Sequence, residues 1–213
     1  MPSLHARIIK FFTPSSPLSM CVLYTGLRPP EGFKGMHVPF IGIKPRTEGL
    51  DTFFSLLPKA THLIFTSRTA AELVGATPPV IHLAVGKKTA AALQTAGTIR
   101  IAKEETAEGV ASLIRPERDA FYLWPRSSGA RSVIVDCLEK NKLPFAAVDL
   151  YDVVSLLPDP LPDLQNITRI VFTSPSTVKA FVNAYETLPD LPLEAIGPVT
   201  KATLDSYGRT PHN

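Results

Sequence analysis

LIFTSRTAAELV at residues 63–74 and IVFTSPSTVKAFV at residues 170–182 decide how this chain is read. Each starts with a short run of β-branched and aromatic residues, turns at Thr-Ser, and continues with apolar residues at helical spacing. That order predicts a buried strand followed by a helix whose first turn carries the serine. Thr66 and Ser67 in the first copy match Thr173 and Ser174 in the second. A second pair follows each copy: LAVGKKTAAALQTAG at 83–97 and EAIGPVTKATLDSYG at 194–208. Here a strand ends at Gly86 or Gly197, Thr89 or Thr200 follows, and the helix runs out near Gly97 or Gly208. Two motifs recurring in the same order at nearly the same offset predict two lobes of similar topology.

Working outward, CVLYT (21–25) reads as a strand and MHVPFIGIKP (36–45) as an extended segment. Helices are expected at 50–57, 68–74, 88–96, 106–114, 129–140, 176–186 and 199–207. Strands are expected at 62–66, 80–85, 99–102, 121–124, 144–154, 169–173 and 193–196. Pro158, Pro160 and Pro162 keep 156–167 from being regular throughout. Strands alternating with helices imply parallel sheets covered on both faces. The fold class is therefore α/β: two similar Rossmann-like or flavodoxin-like lobes, joined by a two-stranded hinge and separated by a cleft. Lobe one combines 19–40 with 151–213, lobe two is 47–144, and 41–46 with 145–150 are the interlobe linkers. Residues 1–18 read as a loosely attached N-terminal extension.

The bulk properties narrow the function. Of 213 residues, 45% are hydrophobic and 19% charged, an ordinary globular balance. No apolar run approaches the roughly 18 residues of a membrane-spanning helix, and IIKFF near the start is too short for a secretory signal. Net charge is +3, with no dense basic run, so neither nucleic acid nor membrane is an expected partner, whereas an anionic small molecule is. Cys21 and Cys137 stand far apart, as reduced thiols of a cytoplasmic protein would. His5, His37, His62, His82 and His212 have no metal-ligand spacing. No phosphate-binding or dinucleotide fingerprint occurs, so no metal and no cofactor is expected.

Ligands of open α/β sheets sit beyond the carboxyl ends of the strands, which is where every motif above falls. Thr66, Ser67 and Ser174 place hydroxyls at helix starts, where free amides also point outward. Gly86 and Gly197 allow close backbone approach, and the amides after them, with Lys87, Thr89 and Thr200, suit a carboxylate or phosphate. In WPRSSGAR (124–131), Arg126 and Arg131 flank Ser127, Ser128 and Gly129, as a small-anion site would. Arg28, Arg68 and Lys88 add positive potential. Tyr151, in VDLYDVV, is a neutral proton or hydrogen-bond donor at pH 7, and its neighbours Asp149 and Asp152 are expected on the opposite strand face. No nucleophile–His–acid set emerges. That leaves catalysis by positioning, or alternatively a non-catalytic two-lobe binding protein for an anionic small molecule.

The ordered set IFTSRTAAELV, LAVGKKTAAALQTAG, ETAEGVASLI, LWPRSSGARSVIVDCLEKN, LYDVV, IVFTSPSTVKAFV and AIGPVTKATLDSYG resembles the uroporphyrinogen-III synthase family. The resemblance implies two α/β lobes on a two-stranded linker, acting as a monomer without metal or organic cofactor. It implies ring closure of hydroxymethylbilane, a linear tetrapyrrole with many carboxylates. Water is lost, an azafulvene and then a spiro intermediate form, and ring D is inverted. By that resemblance Tyr151 assists departure of the hydroxyl, and Thr89, Ser67 and Ser174 with nearby amides hold carboxylates. Gly197 and Thr200 match the corresponding turn of the other lobe. Arg28, in TGLRPP, stands in for an arginine that follows the first strand in the family.

Overall fold

The structure is a computed structural model that describes residues 21–208; the expected extension at 1–18, with His5, and His212 lie outside the described residues. In chain order the elements are β1 (Cys21–Tyr24), β2 (Met36–His37), β3 (Ile41–Pro45), α1 (Thr47–Leu56), β4 (His62–Phe65), α2 (Arg68–Val74) and β5 (Ile81–Ala84). Then follow α3 (Lys87–Ala91), β6 (Ile99–Ile101), α4 (Ala107–Ala111), β7 (Tyr122–Ser127), α5 (Val133–Lys140) and β8 (Phe145–Ser155). The chain closes with β9 (Ile167–Phe172), α6 (Pro175–Tyr185), β10 (Leu193–Ala195) and α7 (Pro198–Gly208). The helix expected at 88–96 stops at Ala91, because the chain beyond it pairs with another loop. Thr77 N–H donates to the Gln94 carbonyl at 3.0 Å, and Thr95 Oγ1 donates to the Pro78 carbonyl at 3.2 Å.

The chain forms two compact units, one of them Ile41–Leu156 and the other made of the segments on either side. In the first, the sheet order is β3-β8-β7-β4-β5-β6. All pairs are parallel except β3 with β8. The five parallel strands thus follow a Rossmann-like order, and the switch point lies between β4 and β7. Strand alternation builds a core on each face. Leu63, Phe65 and Leu123 pack with Phe53 of α1 and with Ala70, Ala71 and Val74 of α2. Ile64, Tyr122 and Trp124 pack with Val110 of α4 and with Ile134 and Leu138 of α5.

Residues 41–46 and 145–150, read as linkers, fall inside this unit, as does 151–156, read as part of lobe one. The reason is the length of β8, whose 11 residues serve two partners. Its first part runs parallel to β7, and its second pairs antiparallel with β3, from Pro45 opposite Tyr151 to Ile41 opposite Ser155.

The other unit has a parallel sheet in the order β10-β9-β1-β2. Its core includes Leu23, Phe40, Ile170, Phe172, Val178 and Phe181, with the Phe181 ring 5.2 Å from Phe40 and 5.3 Å from Phe172. The paired β9 and β10 repeat β4 and β5, and β1 occupies beside β9 the place that β7 occupies beside β4. The α/β class and the doubled architecture are as the repeat predicts. Among the described residues, no helix is long and apolar enough to cross a membrane.

Candidate functional site

The register between β7 and β8 slips once. Arg126 faces Asp149, but the next residue, Ser127, faces Tyr151. Leu150 is therefore the extra residue of a β-bulge, which turns the residue after it to the other face. Phe145 and Ala147 pack with one core, whereas Val148, Leu150 and Tyr151 all join the other. Asp149 does stand on the face opposite Tyr151, as expected, but the bulge and not alternation puts it there, since strict alternation leaves residues 149 and 151 on one face. Helix α1 seats the bulge. Arg46 N–H donates to the Leu150 carbonyl at 2.8 Å, and a Cβ added at Gly49 would lie 2.1 Å from the Asp149 carbonyl oxygen. No side chain fits there.

Turned in this way, the Tyr151 hydroxyl lies 2.9 Å from Ser67 Oγ. Ser67 caps α2 and accepts the Ala70 N–H at 3.0 Å. Tyr151 is 5% exposed. Burial pushes its phenol pKa up, while hydrogen bonding to Ser67 and Ser127 pulls it down less strongly. With the net shift upward from the usual value of about 10, the phenol is protonated at neutral pH.

Beside this pair, the Trp124 indole N–H donates to Thr66 Oγ1 at 3.2 Å. Trp124 is 1% exposed, and the Arg126 guanidinium lies 5.1 Å from its ring centroid. Thr66, Ser67, Ser127 and Tyr151 therefore gather at the carboxyl ends of β4 and β7 and at the end of the part of β8 that runs parallel to β7, beside the switch point of the sheet. Trp124 was missed in the sequence. Its position two residues before Arg126 on one strand face was the available signal.

The two-arginine anion site does not form. Arg126 Nε pairs with Asp149 at 2.8 Å, and Arg131 makes two hydrogen bonds to Glu108, at 2.6 and 3.0 Å. The Arg131 hydrogen bond is the main reason the Glu108 pKa falls to about 2. Ser128 Oγ donates to Asp152, whose carboxylate also receives Arg46. Aspartates on β8 and a glutamate on α4 thus neutralise guanidiniums that the loop sequence alone presents as free.

At the glycine corner, Gly86 precedes α3 with the Glu105 carboxylate packed over it: an added Cβ would meet Glu105 Cδ at 2.5 Å. Thr89 is only 4% exposed, so this corner presents the exposed Lys87 and Lys88 instead of the threonine hydroxyl.

In the other unit Ser174 caps α6 through a capping box with Thr177. Ser174 stands at the switch point between β1 and β9, where an added Cβ at Gly26 would come 2.6 Å from Thr173 Oγ1. Gly197 has φ +85 and open space around its Cα, a backbone state that favours glycine. Thr200 is buried at 3% exposure, and Arg28 is exposed beyond β1. Among the described residues, no group of three or more His, Cys, Asp or Glu could hold a metal ion.

The family model for uroporphyrinogen-III synthase HemD matches residues 30–213. The chain belongs to the uroporphyrinogen-III synthase family. The fold is that of the family's solved members. The uroporphyrinogen-III synthetase of Helicobacter pylori is 18% identical, with a TM-score of 0.66 over 89% of this chain and 90% of that one. A mutant uroporphyrinogen III synthase of the extremely thermophilic bacterium Thermus thermophilus is 16% identical, with a TM-score of 0.58 over 91% of each chain. No curated protein matches by sequence. For this synthase-family member, the tyrosine picked out by resemblance is also the residue whose surroundings the bulge, α1 and the Ser67 cap build.

Proposed function

We propose that this chain is a uroporphyrinogen-III synthase. It closes hydroxymethylbilane to uroporphyrinogen III with loss of water and inversion of ring D through a spiro intermediate, using no metal or organic cofactor. The observation that supports this most is Tyr151, a phenol kept protonated by burial and standing beside Ser67 at a sheet switch point.

The phenol donates its proton to the terminal hydroxyl oxygen as the C–O bond breaks and water departs. The pyrrole nitrogen supplies the electron pair that forms the azafulvene, and its N–H proton balances the phenolate left on Tyr151. The substituted carbon of ring D then bonds to the azafulvene methylene. The spiro intermediate reopens and recloses with ring D inverted. The work is protonation and choice of the reacting carbon, so no nucleophilic side chain is needed. In the same unit as Tyr151, exposed Lys87 and Lys88 serve substrate carboxylates.

Fresh hydroxymethylbilane is supplied, and the uroporphyrin I and III isomers are separated after oxidation. Isomer III well above background is expected; only isomer I would sink the assignment. Binding of the bilane without isomer III would favour the non-catalytic reading. Tyr151→Phe should slow isomer III formation about 100-fold, the lower end of what a general acid contributes, with the melting temperature nearly kept. An unchanged rate would remove Tyr151 from the role. Because the phenol pKa is raised, the rate should hold up to about pH 10 before an alkaline fall.

A further inference from the structure

Ser67 reads in the sequence as a ligand for a substrate carboxylate, yet its hydroxyl already has two partners in the protein. It accepts the Ala70 N–H at 3.0 Å and lies 2.9 Å from the Tyr151 hydroxyl. A serine hydroxyl has one proton and two acceptor lone pairs. Ala70 occupies one lone pair, and the Ser67 proton has the phenol oxygen in reach. On β7, Ser127 stands opposite Tyr151 in register, and its hydroxyl pulls the phenol pKa down, though less than burial raises it. Thr66, the other half of the Thr-Ser motif, is held by the buried Trp124 indole.

We infer that Ser67 is a positioning residue for Tyr151: it donates to the phenol oxygen so that the phenol's own proton is the one directed away from the protein, with Ser127 assisting from β7. The inference rests on the synthase reading for its kinetic consequence, but not for its geometry. A phenol free to donate its proton to a neighbouring serine would hold that proton inside the protein. A phenol that accepts from its neighbours has its single proton left for the substrate. Donation to the oxygen also stabilises the phenolate that remains after proton transfer, which is the direction in which both serines move the pKa.

The test is Ser67→Ala, with Ser67→Thr as the conservative variant, since threonine also caps helices. Isomer III formation is measured against bilane concentration. Ser67→Ala should lower kcat about tenfold with KM within about twofold of the parent, and Ser67→Thr should recover most of the rate. A raised KM with kcat unchanged would make Ser67 a substrate ligand and overturn the inference. The second readout needs no substrate. The Tyr151 phenol is titrated by ultraviolet absorbance, as the difference between each protein and its Tyr151→Phe counterpart. Ser67→Ala should move that titration to higher pH, because the phenolate loses a donor; an unmoved titration would overturn the inference. A parent protein that makes no isomer III would sink the synthase reading alone, and the titration would still decide the role of Ser67.

Discussion

At the scale of single residues, the contacts that matter most are those that use up a group the sequence shows as free. Trp124 is the chain's one tryptophan, and its buried indole N–H has Thr66 Oγ1 as acceptor. Thr66→Val keeps the shape and removes the acceptor. A buried donor left without a partner costs about 1–3 kcal/mol. Urea unfolding followed by Trp124 fluorescence should therefore show a loss of about 1–2 kcal/mol with an unchanged m-value, and stability equal to the parent's would refute the bond's importance. The same scale sets the limit of what was legible. Ser67 and Ser174 could be read as caps because a cap is local: side chain, turn and helix lie within a few residues. The pairing of Arg126 with Asp149 and of Arg131 with Glu108 could not. Each joins groups far apart in the chain whose approach depends on sheet order and helix packing. For the same reason the burial of Thr89 and Thr200 was hidden, since periodicity marks the helix but not which side of its short first turn meets the core.

At the scale of elements, strands and helices were legible from their periods, and β4, α2, β9 and α6 lie within two residues of where the motif places them. Register was not. The bulge at Leu150 has no sequence mark of its own: Leu150 and Tyr151 are adjacent, both large, and both buried on one side of the sheet. What fixes it is α1, where the Arg46 N–H at the helix start reaches the Leu150 carbonyl and Gly49 lets the helix backbone approach Asp149. This makes an unusual prediction for a helical glycine. In an open helix, Gly→Ala stabilises by about 1 kcal/mol. Here the added methyl would press on a backbone carbonyl that cannot move without shifting β8. Gly49→Ala should instead destabilise by about 1–3 kcal/mol, in the range of overpacked sites. Asp51→Ala, on an exposed position of the same helix, should change stability by less than about 0.5 kcal/mol. Chemical denaturation of the two variants side by side gives the answer, and a stabilised Gly49→Ala would show that the close approach is not real.

At the scale of the molecule, the repeat explains why one motif family appears twice while only one copy carries Tyr151. Both units put a Thr-Ser turn after the strand that borders their switch point. In the smaller unit the strand in the corresponding place, β2, has 2 residues, whereas β8 has 11 and brings a tyrosine back to the Thr-Ser turn.

The larger unit also carries two buried histidines that link its stability to pH. His82 is fully buried, stacked on Phe65, with Nδ1 2.9 Å from the Val80 carbonyl and Nε2 2.8 Å from Thr77 Oγ1. A carbonyl only accepts, so Nδ1 carries the proton and Nε2 accepts from the threonine: the neutral ring is fully satisfied. Burial lowers its pKa below 6.5, opposed only by the Val80 bond. His62, stacked 4.5 Å from Tyr122, is lowered in the same direction by burial, with the nearby Glu117 opposing. A folded-state pKa below the unfolded one means that, as pH falls under about 6.5, the unfolded chain takes up protons that the folded chain refuses. Stability is thus complete above that pH and is lost progressively toward the lowered pKa. The melting temperature should fall by a few degrees between pH 7.5 and pH 5, at about 2–4 °C for each kcal/mol in a chain of this size. His82→Phe removes the more deeply buried of the two groups. It should melt lower than the parent at pH 7.5, because Thr77 and Val80 lose their partner, yet show a visibly shallower decline on acidification. A decline as steep as the parent's would mean that acid sensitivity comes from other groups, and that the His82 ring accepts its second proton in place.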